Sequence, residues 1–138
     1  MKTLIELVIF SEDIRLKEQS VYFRNAITDC EVEYIARGEH RHYVNGKQTI
    51  LPSKYSVLYV KSTNQDYNQA IVEMIAAFGE LSDYFDKIEH DTNINVSFFS
   101  DDLFSLEFSE QVMSLLSKYH WSLPISCYRE GSWINAKN

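Results

Sequence analysis

Two periodicities alternate along residues 93–128. Ile94, Val96 and Phe98 take turns with Asn95, Ser97 and Phe99, the two-residue period of a strand. Phe108, Val112, Leu115, Leu116 and Tyr119 then recur at helical spacing and draw one apolar stripe, which must pack on a sheet. Leu123, Ile125 and Cys127 alternate with Ser122, Pro124, Ser126 and Tyr128, predicting a closing strand with Cys127 on its buried face. The start of the chain is apolar on both sides: Ile5, Leu7 and Ile9 face one way and Leu4, Val8 and Phe10 the other, interrupted only by Glu6. That is the pattern of a central strand.

Ser11 or Asp13 is placed to cap a following helix, whose apolar patch is read as Val21, Tyr22, Ala26 and Ile27. Glu31–Ala36 and Tyr55–Lys61 alternate as strands, and between them Asn45-Gly46 suits the positive φ of a tight hairpin turn. Asp66 with Gln69 forms a capping-box pattern ahead of a long amphipathic helix. Tyr67, Ile71, Met74, Phe78, Leu81, Phe85 and Ile88 mark it, with Gly79 a point of division and His90, Asp91 and Asn93 its end.

The order is therefore strand, helix, strand, hairpin, strand, helix, strand, helix, strand. This predicts an α+β fold with a ferredoxin-like sheet, helices on one face, extended by an extra helix and strand. Residues 1–128 form a single domain, and 129–138, which lack periodicity, a frayed tail.

Composition adds direction. With 138 residues, 45% hydrophobic and 24% charged, the chain is long enough for one core. The net charge is -7 and the pI about 5.0, which disfavours nucleic acid and anionic membranes and favours a basic partner. Glu6 breaks the apolar start and no cleavage site follows, so a cytoplasmic protein with reduced Cys30 and Cys127 is expected.

Reaction chemistry is thin. His40 and His42 share one strand face, but two imidazoles beside Arg41 make a surface hairpin rather than a metal site. Cys127 with His120 is weighed as a nucleophile pair and read as core packing. No Gly-rich phosphate loop or nucleophile elbow occurs, so no catalytic residue, metal or cofactor is assigned.

Surface character is more informative. Glu80, Asp83, Asp86 and Glu89 lie along the long helix, and Asp101, Asp102, Glu107 and Glu110 follow in sequence. They fit either a solvated helix face or one negative docking surface for a basic protein. Tyr43, Tyr55 and Tyr59, with Phe99 and Tyr128, fit an exposed aromatic sheet face or packing under the hairpin. RNA stacking on such a face is opposed by the charge.

One resemblance covers nearly the whole chain. The strand ending Tyr59-Val60-Lys61, the helix from Tyr67 to Ile88, Asn95-Val96-Ser97, the Leu115-Leu116 helix and Ile125-Ser126-Cys127-Tyr128 together resemble the bacterial domain-of-unknown-function family numbered 4279. The Trp usual in that family near Tyr55 is absent here. The resemblance implies a small standalone protein of toxin-immunity type, and no catalytic residue. The expected function is thus a non-catalytic module that neutralises a basic, nuclease-type toxin domain. It would bind through Glu80, Asp83, Asp86, Glu89, Asp101, Asp102, Tyr43, Tyr55 and Tyr59. The alternative is a small-molecule-binding or regulatory domain with a pocket at a homodimer or sheet interface and the His40 and His42 hairpin as its gate.

Overall fold

Lys2–Ser11 (β1) lies at the middle of a five-stranded sheet. It pairs antiparallel with Ser56–Ser62 (β3) on one side and His90–Phe99 (β4) on the other. Cys30–Ile35 (β2) flanks β3 antiparallel, while Ile125–Tyr128 (β5) flanks β4 in parallel, giving the order β2-β3-β1-β4-β5. The first four strands are the ferredoxin-like α+β sheet, and β5 is the added strand. This computed structural model describes residues 1–42 and 46–136, and the side chain of Ile14 is left aside. Tyr43 and Asn45 fall outside that description, but His42 bridges Gln48 antiparallel and Gly46 has φ 83°.

The alternation of β1 explains its place. Ile5, Leu7 and Ile9 have no exposure and join Leu58, Val60, Ile94, Val96 and Phe98 beneath the helices. Each such side chain contributes about 1.5–3 kcal/mol by leaving water. Asp13 accepts from the Arg15 amide at 2.9 Å and starts a 3-10 helix, Ile14–Gln19, that runs into the helix Ser20–Ala26 (α1). The buried side chains here are Leu16, Phe23 and Ile27, whereas Val21 is 60% exposed and Tyr22 also faces solvent. The predicted patch holds at Ala26 and Ile27 and is corrected at Val21 and Tyr22: a 3-10 turn advances by three residues per turn, so the phase of the apolar face shifts before α1 begins.

The long helix is divided, as Gly79 suggested. Tyr67–Glu80 (α2) ends at Leu81, and Ser82–Phe85 (α3) is a single further turn. A Cβ on Gly79 would run into the Tyr119 hydroxyl of Glu110–Tyr119 (α4), so the glycine admits that neighbour. Only half of the capping box forms: Asp66 accepts from the Gln69 amide at 3.1 Å, but the Gln69 side chain turns to Glu73. The strand after α3 begins at His90 rather than beyond Asn93.

The apolar stripe of α4 joins the core under the sheet: Val112 and Leu116 are buried in one cluster with Val96 and Phe98 of β4, and α4 also packs against α2. Two other expectations about the C-terminal part are overturned. β5, the edge strand beside β4, is exposed at every position, Cys127 included. Residues after 128 are also structured: Glu130–Ser132 makes a 3-10 turn and Trp133–Ala136 (α5) a helical turn, with Trp133 edge-on to Phe99 at 5.3 Å.

Candidate binding groove

Strand register builds a groove at one end of the sheet. Ser11, the last residue of β1, is level with Ser56 in β3 and His90 in β4. One step earlier, Phe10 is level with Val57 and Asp91. Three chain segments distant in sequence therefore meet at one end of the sheet. They enclose a groove of about 740 Å³ lined by Phe10, Ser11, Glu12, Asp13, Tyr55, and residues 87–91. The buried Ser11 hydroxyl fastens it, donating to the Glu89 carbonyl at 2.8 Å and accepting from the Asp13 amide at 3.1 Å.

Four carboxylates stand around this groove. Glu12 is paired with Arg37 at 3.1 Å, and Asp13 with Arg15 at 3.3 Å. The Tyr84 hydroxyl donates to Asp13 at 3.0 Å. The side-chain and backbone hydrogen bonds from Arg15 hold the Asp13 carboxyl below its usual range. Burial, and then the bond to Asp13, push the Tyr84 phenol up. Glu89 and Asp91 have no side-chain partner among the described residues. Lys87 is the one basic side chain among the lining residues.

Aromatic surface accompanies the acids. Tyr55 is 48% exposed and meets Phe10 edge-on at 6.5 Å. His90 is accessible along one edge, while its ring lies against Phe78 and Phe85. Loss of water on that side lowers its pKa, against the raising pull of Asp91 and Asp86. At neutral pH the imidazole thus adds no positive charge to offset the carboxylates.

The predicted binding residues do not form one surface. Tyr55 and Glu89 line the groove, and Asp86 acts on His90 from beside it. Glu80 and Asp83 are exposed on the helical side, outside the lining. Asp101 and Asp102 follow the far end of β4, whose ten residues span about 30 Å, so they cannot act with Glu89. Asp101 also has internal work, accepting from the Glu130 amide at 3.2 Å. Tyr59 lies on the sheet face away from the helices, with the Arg41 guanidinium 4.0 Å above its ring. Arg41 is held there by Glu33 at 3.0 Å. On the same face burial raises the pKa of Glu6, against the lowering effect of Lys61 and Arg41. Tyr43 lies outside the described residues.

Sequence reasoning missed Phe10, Glu12, Asp13 and Asp91. Their only signal is register: an apolar strand ending Phe-Ser-Glu-Asp, and an acidic pair around His90 where the antiparallel partner begins.

Other chemistry is sparse. The described residues hold no group of three potential metal ligands. His40 Nδ1 is 2.7 Å from the Thr49 carbonyl, and neither His40 nor His42 lines the groove. His120 has φ 55° and ends α4 as its left-handed cap, while Cys127 sits on the exposed edge strand. Burial first among its causes, the Cys30 thiol is pushed up to about 11, which leaves it protonated and unreactive. Among the described residues no helix is long and apolar enough to cross a membrane. A scan against protein-family models finds no match, and a search of curated proteins finds no similar sequence.

Proposed function

We propose that this chain is a non-catalytic binding module for a basic protein, with the groove at the β1 and β4 ends as its contact surface. One observation carries the reading: Glu89 and Asp91, without side-chain partners among the described residues, line the same groove as the exposed ring of Tyr55. An arginine or lysine entering there meets carboxylates for charge pairing and a ring face for cation–π contact. The net charge of -7 steers such a partner in from a distance. The resemblance of the chain to small immunity-type proteins makes a nuclease-type toxin domain, with its basic cleft, the partner class in this reading, and the bacterial cytoplasm its place.

The test is calorimetric titration with poly-arginine and with basic nuclease domains, comparing the wild-type chain with Glu89→Lys/Asp91→Lys. Binding that is lost in the variant supports the groove; equal binding in both refutes it. The groove volume of about 740 Å³ also suits a small ligand, which favours a second reading as a small-molecule-binding domain. A thermal-shift screen of metabolites separates the two, since a stabilising hit abolished by Tyr55→Ala would move the function to a small molecule.

A further inference from the structure

The chain is electrically divided. Residues 37–54, the excursion between β2 and β3, carry Arg37, Arg41, Lys47 and Lys54 against Glu39 alone, in a chain that is strongly acidic elsewhere. Its returning arm carries an exposed apolar pair: Ile50 is 95% and Leu51 71% exposed, followed by the exposed Pro52 and Lys54. Adjacent large aliphatic side chains this exposed are available for contact.

The excursion and the groove are immediate neighbours. Arg37, where the excursion leaves β2, pairs with Glu12 on the groove lip. The Arg37 amide also donates to the Ser56 hydroxyl at 3.3 Å. Tyr55, where the excursion re-enters the sheet, is a groove wall. An arm carrying Ile50, Leu51 and the exposed Lys54 thus adjoins an acidic groove lined by Phe10, Tyr55 and Ile88. A patch of this kind is matched by its own copy turned through a two-fold axis, each arm meeting the other's groove. An anionic membrane suits the loop but not the carboxylates beside it, which the same headgroups would repel.

We propose that two copies of this chain associate through a two-fold interface in which the 46–54 loop of each seats Ile50 and Leu51 in the groove of the other, with Lys54 toward Glu89 and Asp91. The proposal shares the groove with the functional reading above and adds its regulation. The homodimer keeps the groove covered, and a basic partner must displace the loop to bind.

Sedimentation velocity on the full chain tests this. At about 100 μM and low salt the wild type is expected at twice 16.2 kDa, dissociating on dilution and with added salt. Ile50→Asp, Lys54→Glu and Glu89→Lys/Asp91→Lys should each weaken the dimer by roughly tenfold or more, and all four positions are exposed, so folding should persist. The decisive arm mixes the Lys54→Glu chain with the Glu89→Lys/Asp91→Lys chain. In that heterodimer both contacts are attractive again, so association should return. A wild type that stays monomeric, a Lys54→Glu chain that dimerises unchanged, or a mixture no tighter than its components would each overturn the proposal. Poly-arginine binding to a monomeric wild type would sink the dimer and leave the functional reading standing. Dimers that poly-arginine neither binds nor dissociates would do the reverse.

Discussion

The two ends of the β1–β4 pair each carry an aromatic residue on the sheet face away from the helices, Phe99 from β4 and Phe10 from β1, and the chain treats them in opposite ways. At the far end Phe99 is 1% exposed, stacked on Tyr128 at 5.2 Å and met edge-on by Trp133. The nearby carboxylate of Asp101 is spent on the Glu130 amide, fixing the turn that brings Trp133 over. At the near end Phe10 is half-buried and meets the edge of Tyr55, and Glu89 and Asp91 are exposed. The same ingredients, rings and acids at a strand end, make a seal where the chain folds back on itself and an acceptor where it does not.

This contrast should show first in stability. Phe99→Ala is expected to cost about 3–5 kcal/mol in urea unfolding and Phe10→Ala about 1–2 kcal/mol, and equal losses would erase the distinction. The next effect is on binding: Glu89→Lys/Asp91→Lys should weaken poly-arginine by about 1.4 kcal/mol or more, while Asp101→Lys/Asp102→Lys leaves it within a factor of two to three. Reversed sensitivities would move the contact surface to the sealed end. Asp101→Ala should cost about 0.5–1.5 kcal/mol and speed amide hydrogen exchange at Glu130, without touching poly-arginine binding.

The smallest effect is the pH response of His90. Its pKa in the folded chain lies below the ordinary 6.5 because of burial, so above pH 6.5 both states are neutral there and it costs nothing. As pH falls through 6.5, the unfolded chain takes up a proton that the folded chain does not, and stability declines until the folded pKa is passed. His90→Gln should therefore flatten the melting temperature against pH over that interval. An unchanged profile would mean that His90 is not held neutral by Phe78 and Phe85.

Much of the fold was legible because its central elements obey one period each. β1 is apolar and buried on both faces, β4 alternates from Ile94 to Phe98, and α2 repeats Ile71, Met74 and Phe78 on a single stripe, all of them buried. Legibility failed where neighbours decide. Cys127 alternates as a buried residue would, yet it is exposed on the edge strand β5. Val21 and Tyr22 sit in a plausible apolar run, yet the 3-10 turn before them rotates Phe23 inward instead. The proposed binding surface was legible only in kind. An acidic, aromatic character could be read from composition, but carboxylates spaced regularly along a sequence look adjacent even when a helix break at Leu81 and the length of β4 separate them. Conversely, Phe10, Tyr55 and Asp91 look unrelated until antiparallel register sets them level.

The position of β1 has a kinetic consequence. Lys2–Ser11 is the earliest strand in this sequence, yet both of its hydrogen-bonding neighbours, β3 and β4, come from residues 56 onward. Every pairing it makes is long-range, so loop-closure entropy must be overcome before the strand gains anything. During refolding the apolar run Leu4–Phe10 thus waits, unprotected, for the rest of the chain. Slow collapse and concentration-dependent aggregation are the expected hazards, set by the route to this topology and not by the strength of its core.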